Sequence, residues 1–584
     1  MRKTKVICTI GPASEDEATL TRMIKAGMNV ARLNMSHGDH EEHRGRIETL
    51  KRLRKQMGIP LSIMLDTKGP EVRTGVYSCG SIKLKTGDSF TLTTRDIPGD
   101  ETIVSVTYEN LPNELAPGRR VLIDDGLVEL SVQQIEGTEI HTRVVNGGTL
   151  SGRKGINLPG TKLGLPALTE KDIDDILFGI EMGIDTIAAS FVRRAEDIME
   201  IRKVLNEHGG DGILIFAKIE NDTGVANMDD IIKVADGVMV ARGDLGVEIP
   251  LEQLPAVQKE LIHKCNMAGK TVITATQMLD SMIRHPRPTR AEVNDVANSV
   301  LDGTDAIMLS GETAAGSYPV EAVSTMCRIA LYTEQTNPLQ NMAPPELLDG
   351  RYSITNAVSH ACYTIATDLD ATAIITPTDL GNTARRVSRY RPKCPLIATT
   401  SREMVYNQLA TVWGVKPLMA PHASNGTEMI DNSIQIATQA GLLKDGDVVV
   451  ISAGVPVGMS GTTNLIQVHV VGDVLMHGKG LGTQKVFGSV CVVNNPQDAL
   501  SRFHDGDILV AHQTCNELMP LMRRAAGIVV EEDDYLGHAA VVGLALEKTV
   551  IFAAPDACHT LRDGMAVTLD PTSGYVYNGE AKSL

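Results

Sequence analysis

Leu214-Ile215-Phe216-Ala217-Lys218-Ile219 and, further along, Gly237-Val238-Met239-Val240-Ala241-Arg242 are the stretches that decide the fold. Both are short, almost continuously apolar and rich in β-branched residues, which is typical of parallel strands buried on both faces. Six more runs share this character: Val6–Ile10, Asn29–Asn34, Leu61–Asp66, Thr186–Phe191, Thr271–Thr276 and Ala306–Gly311. Most precede an amphipathic segment, such as Lys171–Met182 or Leu251–Met267. Eight strand–helix units favour a closed (β/α)8 barrel over a doubly wound sheet.

One interval interrupts this alternation. Between Asp66 and Lys171, apolar and polar residues alternate and glycine is frequent. Ser81–Leu84, Phe90–Thr93 and Val121–Gly126 have the pattern of short antiparallel strands. We therefore expect a β domain at residues 70–166, inserted after the third strand as a lid over the barrel mouth, and a barrel made of residues 1–69 and 167–338.

Two further units follow the barrel. Gln335–Gly350 is rich in proline and polar residues and is interpreted as a linker. An α/β unit is expected at residues 339–473, with strands at Ala373–Thr376, Leu396–Thr399 and Val448–Ser452. A fourth unit occupies residues 474–584. Its opening run, Gly478–Gly482, lacks the preceding strand of a dinucleotide site and is interpreted as a linker.

Composition narrows the class of protein. The 584 residues carry a net charge of -17 and 3% aromatics, so they repel a polyphosphate backbone and offer few surfaces for base stacking. The nine cysteines stand singly, which is typical of reduced thiols in the cytoplasm. No apolar run approaches the roughly 20 residues that span a bilayer, and no signal peptide is recognised. We expect a cytoplasmic protein that binds neither nucleic acid nor membrane.

Polar residues cluster at the predicted carboxyl ends of the strands, where barrels of this kind carry their chemistry. The set is Arg32, Asn34, Ser36, Asp66, Thr67, Arg73, Lys218, Glu220, Arg242, Asp244, Thr276, Gln277, Ser310 and Glu312. Structural ion pairs at the rim of the barrel are a poor explanation for this set, because each buried charge is costly to remove from water. Arg242–Gly246 is expected to end a strand with two glycines, which lets backbone N–H groups approach an anion.

Three of these side chains suggest a metal site. Glu220 and Asp244 are carboxylates on neighbouring strands, and Mg²⁺ prefers one or two carboxylates with substrate oxygens and water. Lys218 stands two residues before Glu220 and so shares its face of the strand. A lysine beside such a metal suits the charge on a transferring phosphoryl group, and the forks of Arg32 and Arg73 suit phosphate oxygens. The pattern predicts a metal-dependent site for phosphate chemistry.

Seven longer stretches carry a resemblance to a known family. They are Cys8–Ser14, Asn29–Gly38, Leu65–Gly75, Ala217–Asn221, Met239–Glu248, Thr274–Leu279 and Met308–Ala314. From Lys3 to about Asp473 the chain resembles the pyruvate kinases. The resemblance implies an α/β protein with a TIM barrel, an inserted β-barrel lid, an α/β regulatory domain and an extra C-terminal α/β domain. It also implies transfer of the phosphoryl group of phosphoenolpyruvate to ADP, giving pyruvate and ATP in the last step of glycolysis.

The resemblance also implies residue roles. Lys218 would stabilise the transferring phosphoryl group, Arg32 would contact phosphate, and Thr276 would help to deliver a proton to the enolate. Glu220 and Asp244 would hold Mg²⁺ or Mn²⁺. The substrate would be bound by Arg32, Lys218, Gly243, Asp244 and Thr276, and the nucleotide by Asn34, His37, Arg73 and Lys154, the last from the lid.

A monovalent cation is implied as well. The family's ligands match Asn34, Ser36, Asp66 and Thr67, an all-oxygen set that suits K⁺. Members with glutamate at the position of Glu71 resemble the K⁺-dependent enzymes, whereas a lysine there substitutes for the charge of the ion. The resemblance therefore predicts activation by K⁺.

The third unit resembles the family's regulatory domain, in which a loop of hydroxyl residues and glycine cradles an effector phosphate. The matching loop is Thr376–Thr383, with Thr376, Thr378, Gly381 and Thr383 as effector ligands, and the companion stretch is Ala453–Asn464. Asp379 departs from the pattern and would repel an anion. The effector, AMP or a sugar phosphate, stays open, and the family implies a homotetramer.

The fourth unit resembles the phosphohistidine domain of enzymes that use phosphoenolpyruvate. The resemblance lies in Leu536–Val542, but Leu536 and Gly537 replace the Thr-Ser that precedes the histidine in that family. Two interpretations remain: His538 accepts a phosphoryl group, or the domain is catalytically idle. Two other functions also remain for the whole chain, namely a non-catalytic regulatory or phosphocarrier protein and a metal-dependent aldol-cleaving enzyme.

One further motif suggests metal binding. His40-Glu41-Glu42-His43 resembles a zinc-protease helix, but the second histidine stands three residues on, where that helix needs four. We interpret these residues as polar side chains at the start of a helix.

Overall fold

The computed structural model describes residues 2–336, 354–455, 463–472 and 474–580. Most of the predicted linker Gln335–Gly350, the middle of the companion stretch Ala453–Asn464 and the predicted boundary at Asp473 lie outside these residues. The chain divides into two compact units. The first consists of Met1–Tyr363, Thr376–His422 and Ala453–Asn464, and the second of Thr364–Ile375, Ala423–Ser452 and Leu465–Leu584.

The first unit contains the predicted barrel and the interruption within it. Its first segment is β1 (Lys5–Thr9), α1 (Glu17–Ala26), β2 (Val30–Asn34), α2 (His40–Met57) and β3 (Ser62–Asp66). The interruption is β4 (Val72–Arg73), β5 (Ser81–Leu84), β6 (Ser89–Thr93), β7 (Ile103–Ser105), α3 (Leu111–Glu114), β8 (Arg120–Ile123), β9 (Val128–Glu136), β10 (Glu139–Asn146), β11 (Gly148–Ser151) and β12 (Gly155–Asn157).

The barrel then continues to residue 336. It contains α4 (Glu170–Glu181), β13 (Thr186–Ala189), α5 (Ala195–Glu207), β14 (Leu214–Ile219), α6 (Asp222–Ala226), α7 (Met228–Val234), β15 (Gly237–Ala241), α8 (Arg242–Glu248), α9 (Leu254–Ala268), β16 (Thr271–Ala275), α10 (Arg290–Leu301), β17 (Ala306–Leu309), α11 (Gly311–Ala314) and α12 (Pro319–Thr336). All eight predicted barrel strands are present.

Eight parallel strands close the barrel in the order β1-β17-β16-β15-β14-β13-β3-β2. They are almost entirely buried, because side chains on one face fill the barrel and those on the other pack under the helices. Gly237 lies beside Phe216 in the register, and a side chain at that glycine would collide with the Phe216 ring. The predicted fold class is confirmed.

The inserted residues form a seven-stranded sheet, β4-β12-β8-β9-β10-β6-β7, and a two-stranded sheet, β11-β5. The predicted strands pair antiparallel, β6 with β10, β8 with β9 and β5 with β11. The strand predicted to reach Gly126 ends at Ile123, because Asp124, Asp125 and Gly126 have φ values of 57°, 54° and 82° and turn the chain.

The next elements match the third predicted unit. They are α13 (Ile354–Asp368), β18 (Ala373–Pro377), α14 (Asn382–Ser388), β19 (Leu396–Thr400), α15 (Glu403–Gln408), β20 (Val415–Met419), α16 (Gly426–Gln439), β21 (Val448–Ala453) and β22 (Leu465–Val470). β19 pairs parallel with β20, and β18 pairs parallel with β21. Parallel strands alternating with helices confirm the α/β character of this part.

The C-terminal part of the second unit has a mixed sheet in the order β23-β30-β29-β25-β26-β27-β28-β24. Its elements are β23 (Val474–His477), β24 (Lys479–Leu481), β25 (Val486–Val493), α17 (Pro496–Arg502), β26 (Ile508–Ala511), α18 (Met519–Arg524), β27 (Gly527–Val530), α19 (His538–Ala545), β28 (Thr549–Phe552), α20 (Ala557–Thr560), β29 (Ala566–Asp570) and β30 (Tyr575–Asn578). In the part of the chain that is described, no helix has both the length and the apolar surface needed to cross a bilayer.

The interpretation of Gly478–Gly482 as a linker was wrong. Its central residues form β24, an edge strand paired antiparallel with β28. A side chain at Gly480 would collide with the backbone of Pro571. Glycine is thus needed here because two backbones approach closely within a sheet. From the sequence alone, such a glycine-rich strand cannot be distinguished from a glycine-rich linker.

The histidines that suggest a metal motif lie in the first turn of α2, as predicted. His40 Nε2 lies 2.8 Å from Asp175 Oδ1, and His43 Nε2 lies 2.8 Å from the carbonyl oxygen of His37. Among the described residues, no three His, Cys, Asp or Glu side chains group as a metal site. These histidines have structural partners.

Candidate active site

Lys218 lies at the centre of the polar end of the barrel. It is the penultimate residue of β14, and its ammonium nitrogen lies 2.9 Å from Glu220 Oε1 and 3.2 Å from Asp66 Oδ1. It also donates a hydrogen bond of 2.7 Å to Ser190 Oγ. Burial lowers the pKa of Lys218, but Asp66 and Glu220 outweigh burial and the pKa is raised. This amine therefore stays charged.

Asp66 joins two cations. Arg32 Nε donates to Asp66 Oδ2 at 2.6 Å, while Lys218 approaches the other carboxylate oxygen. A second nitrogen of Arg32 donates to Thr9 Oγ1 at 2.8 Å. Burial raises the pKa of Asp66, but Arg32 and Lys218 together hold it below its ordinary value. The ionised Asp66 thus fixes Arg32 and Lys218 side by side.

Glu220 and Asp244 form a pair of like charges. Glu220 is 1% exposed and accepts a hydrogen bond of 2.6 Å from the backbone N–H of Phe191. Burial raises the pKa of Glu220 to about 7; Lys218 opposes this rise and Asp244 adds to it. The two carboxyl groups therefore interact electrostatically in a desolvated site.

Asp244 sits among further negative charges. Burial raises its pKa first, and Asp125 and Glu71 raise it further, against the opposing effect of Lys218. Carboxylates that repel one another in a desolvated site are the oxygen ligands that a divalent cation requires. The residues present therefore fit Mg²⁺ or Mn²⁺ at Glu220 and Asp244.

Arg242 differs from its prediction. It does not end a strand but is the first residue of α8, and its guanidinium donates to Asp295 at 2.6 and 2.7 Å. It also donates to the carbonyl oxygens of Thr276, at 2.8 Å, and Ala275, at 3.2 Å. The guanidinium of Arg242 is therefore already hydrogen-bonded to protein groups, namely the Asp295 carboxylate and the carbonyl oxygens at the end of β16.

Thr276 follows β16 in a left-handed conformation, with φ of 71°. Its hydroxyl donates to the carbonyl of Ala275 at 2.6 Å and accepts from the backbone N–H of Gly243 at 2.7 Å. Such strain in a non-glycine residue is typical of functional sites. The contact brings together the ends of the sixth and seventh barrel strands, since Gly243 follows β15 and Thr276 follows β16.

A cavity of about 540 Å³ is lined by Asp244 and by residues of the inserted domain. Its charged lining includes Glu71, Arg73, Asp124, Asp125, Lys154, Arg193, Arg194, Asp222 and Glu248. Arg73 Nε donates to Glu71 Oε2 at 2.6 Å, and Lys154 Nζ lies 2.9 Å from Asp124 Oδ1. Arg73 and Lys154 thus share a cavity with Asp244, whereas Asn34 and His37 are not among its lining residues.

The four residues matched to the K⁺ site lie at paired strand ends. Asn34 of β2 stands opposite Asp66 of β3, and Ser36 and Thr67 follow these two residues. Asn34 Oδ1 accepts from the backbone N–H of Ser36 at 3.1 Å. Thr67 Oγ1 accepts from the N–H of Ser190 at 3.1 Å. The four residues therefore lie at the adjoining ends of β2 and β3.

Ser190 was missed in the sequence. Its hydroxyl contacts Lys218 and Asp66 and donates to the Thr67 carbonyl at 2.6 Å. It stands one residue beyond β13, so the strand-end rule that identifies its neighbours would have found it. Phe191, whose N–H supports Glu220, carries no such signal, because its contribution is a backbone donor in a residue with φ of 55°.

The predicted effector loop is compact. Thr376 is fully buried, Thr378 Oγ1 accepts from the N–H of Gly381 at 2.9 Å, and Thr383 Oγ1 lies 3.0 Å from Thr463 Oγ1. Asp379 forms two contacts of 2.6 and 2.7 Å with Arg402. Arg402 thus pairs with the charge that was expected to repel an anion.

His538 is the first residue of α19. Its Nδ1 lies 2.8 Å from Thr514 Oγ1 and its Nε2 lies 3.2 Å from Asn516 Oδ1. A threonine distant in sequence thus supplies a hydroxyl beside the ring. Phosphorylation of His538 stays a prediction.

Comparisons with known proteins cover nearly the whole chain. Three family models match: "Pyruvate kinase, barrel domain" at residues 1–323, "Pyruvate kinase, alpha/beta domain" at 356–469 and "PEP-utilising enzyme, mobile domain" at 503–574. The chain is 51% identical to a pyruvate kinase of Geobacillus stearothermophilus over 585 residues. It is 48% identical to one of Sporosarcina psychrophila and 44% identical to one of Staphylococcus aureus (strain USA300), each over 586 residues. All three alignments span 100% of both chains.

Proposed function

The chain belongs to the pyruvate kinase family of phosphotransferases, and we propose that its barrel end transfers the phosphoryl group of phosphoenolpyruvate to ADP. The products are pyruvate and ATP, in the last step of glycolysis. The observation that supports this most directly is the buried cluster of Lys218, Asp66 and Glu220, in which an ammonium group is held charged beside a carboxylate pair. Such a cluster suits transfer of an anionic group.

Phosphoryl transfer requires positive charge and positioning rather than covalent help from the protein. The ammonium of Lys218 stabilises the negative charge of the phosphoryl group as it moves, and Arg32, fixed by Asp66, contacts its oxygens. Glu220 and Asp244 hold Mg²⁺ or Mn²⁺, which when bound neutralises phosphate oxygens. Gly243 and Asp244 place the substrate at the end of β15.

Loss of the phosphoryl group leaves an enolate that must gain a proton at carbon. The hydroxyl of Thr276 helps to deliver that proton, because its position is fixed by the Gly243 N–H and the Ala275 carbonyl. A positioned donor of this kind contributes typically about 10²–10⁴-fold to a rate. Thr276 therefore completes pyruvate formation.

The nucleotide is bound by Arg73 and Lys154 in the cavity that Asp244 also lines. Both cations are paired with carboxylates, and phosphate oxygens replace those partners when ADP binds. Asn34 and His37 complete the nucleotide contacts from the end of β2. The cavity of about 540 Å³ is of the size that small-ligand sites have.

K⁺ is held by the oxygens of Asn34, Ser36, Asp66 and Thr67. Glu71 adds a negative charge at this end of the barrel, which favours a requirement for the ion. The rest of the proposal is a cytoplasmic homotetramer whose effector, AMP or a sugar phosphate, binds at Thr376, Thr378, Gly381 and Thr383.

The test is a coupled assay of pyruvate formation by the purified chain from phosphoenolpyruvate and ADP, with Mg²⁺ and K⁺ added or omitted. We expect turnover with both ions and a loss of turnover without the divalent ion. Absence of turnover with both ions present would disprove the proposal and favour a non-catalytic member of the family.

A further inference from the structure

A second, much smaller cavity lies in the first unit, away from the residues assigned above. It has a volume of about 10 Å³, which holds one water-sized group. The cavity lies between the segment that precedes β16 and the end of α14. Its lining is Asn266, Gly269, Lys270, Thr271, Asp305, Arg385, Ser388, Arg389, Arg391 and Val412.

Two arginines at this cavity have N–H groups without acceptors. Arg389 is 6% exposed, and its Nε and one terminal nitrogen have no hydrogen-bond partner among the described residues. One terminal nitrogen of the half-buried Arg385 is also without a partner within the described part of the chain. An unpaired buried donor costs about 1–3 kcal/mol, and more when the group is charged. Three such donors at one cavity require an explanation.

The carboxylates around the cavity do not provide acceptors for these N–H groups. Asp305 is 2.7 Å from Arg391 Nη1 and also accepts from the backbone of Val272. Asp236, the carboxylate that acts on Arg385, accepts a hydrogen bond from Arg202. The nearby acids are thus engaged with other groups.

The remaining charges near the cavity are positive. Lys270 Nζ donates to the carbonyl of Ala235 at 2.6 Å, and Arg386 donates to Asn356 Oδ1 at 3.0 Å. Burial lowers the pKa of Arg385, Arg389 and Lys270. Four cationic side chains line the cavity, namely Lys270, Arg385, Arg389 and Arg391, against the single carboxylate of Asp305, so the lining has an excess of positive charge.

We propose that this cavity is a binding site for a phosphate-class oxyanion, separate from the effector loop. One oxygen enters the water-sized space and accepts from Arg389, while the other oxygens face Arg385 and Lys270 at the half-buried rim. Forked guanidinium donors match the geometry of an oxyanion in this way. The ligand is inorganic phosphate or the phosphate group of a small metabolite whose remainder projects outward past the rim.

The bound anion joins two parts of the first unit. Arg385 and Arg389 belong to α14 and its end, and Arg385 Nη1 donates to the carbonyl of Leu380 in the effector loop. Gly269 and Lys270 lead into β16, which ends at Ala275 next to Thr276. The ligand therefore links the segment that carries the effector loop to the strand that positions Thr276.

Trp413, the single tryptophan of the sequence, provides a local probe. It follows Val412 of the cavity lining, its carbonyl accepts from Ser388 Oγ at 2.7 Å, and the guanidinium of Arg391 lies 4.7 Å from its ring centre. Inorganic phosphate titrated into the full chain at constant ionic strength, balanced with NaCl, is expected to give a saturable change in Trp413 fluorescence.

Four variants identify the site. Arg389→Gln and Lys270→Gln are each expected to weaken phosphate binding, so that the half-saturating phosphate concentration rises at least tenfold. Arg143→Gln, which removes an equal charge from an exposed position on β10, and Thr378→Ala, in the effector loop, are expected to leave it within twofold. Far-UV circular dichroism checks folding, and Lys270→Gln tests the site if Arg389→Gln fails to fold.

Three outcomes would overturn the proposal. They are no saturable change with phosphate, an equal change with NaCl alone, and a loss of binding in Thr378→Ala with full binding in Arg389→Gln. None of these readings requires turnover, so they are independent of the assay for pyruvate formation.

Discussion

Lys218 Nζ and Glu220 Oε1 lie 2.9 Å apart at the end of one barrel strand, and both residues are more than 90% buried. Each changes the charge state of the other, since Glu220 raises the pKa of Lys218 while Lys218 opposes the rise in the pKa of Glu220. A divalent ion at Glu220 and the phosphoryl group at Lys218 would therefore lie side by side. The first prediction follows from this arrangement.

Lys218→Met removes the charge beside the transferring phosphoryl group. We expect kcat for pyruvate formation to fall by about 10³-fold, because transition-state charge in a desolvated site loses its partner. Steady-state assay of the variant checks this. Lys203→Met, an exposed lysine on α5, is the control and should keep full activity. Activity of Lys218→Met within tenfold of the native chain would contradict the assigned role.

Thr276→Ala removes the hydroxyl that we propose helps to deliver the proton, whereas Thr276→Ser keeps this hydroxyl. We expect kcat to fall by about 10²-fold in the alanine variant and by less than about tenfold in the serine variant. The serine variant separates loss of the hydroxyl from a structural effect. Equal activity of the two variants would argue that the hydroxyl has no part in the reaction.

Glu71 is expected to determine the K⁺ requirement. Replacing K⁺ with tetramethylammonium should lower activity about tenfold or more in the native chain, because nearby carboxylates lose a compensating charge. Glu71→Lys should be active without K⁺, since its ammonium group supplies the charge, while Glu71→Gln should still need the ion. Activity of the native chain that is the same in both salts would refute this prediction.

Lys5 lowers stability at neutral pH. Burial and, to a smaller extent, Arg2 lower the pKa of Lys5 to about 7, against the opposing effect of Glu334. The unfolded chain thus binds more protons than the folded chain from about pH 7 to the ordinary lysine value, so stability rises with pH across this interval. Below about pH 7 both states are protonated and the penalty is constant.

Lys5→Met removes this penalty and its pH dependence. The stability of the native chain relative to Lys5→Met should therefore improve by about 2 kcal/mol between pH 7 and pH 9. Urea unfolding of both proteins at the two pH values measures this difference. A difference between the two proteins that does not change with pH would show that the Lys5 ammonium is not destabilised by burial.

The barrel was predictable because each of its strands has a sequence pattern that is visible within a few consecutive residues. Each strand is a run of apolar residues, and the strand-end rule then located Lys218, Glu220, Asp244 and Thr276. Pairing between distant residues was not predictable in this way. The partner of Asp379 is Arg402, and the hydroxyl beside His538 comes from Thr514; neither pair has a periodic signal.

One glycine and one arginine show why two of the predictions differed from the structure. Gly480 was interpreted as part of a linker, although it permits close approach to Pro571 within a sheet. Arg242 was placed at a strand end among the residues expected to carry the chemistry, although its donors are used by Asp295 and by two carbonyls. Glycine occurs both in linkers and in closely packed strands, and arginine contacts either ligands or protein groups. Which of these applies depends on residues that are distant in sequence and near in the fold.

The contact of Arg242 with Asp295 has a consequence for engineering this enzyme. Asp295 lies on α10 and is not among the residues assigned to any ligand, yet it holds the guanidinium that in turn holds the Thr276 carbonyl. A mutant library that randomised position 295 as a neutral site would therefore also disturb the support of Thr276, which we propose as the residue that helps to deliver the proton. Positions 242 and 295 should be varied jointly or left unchanged.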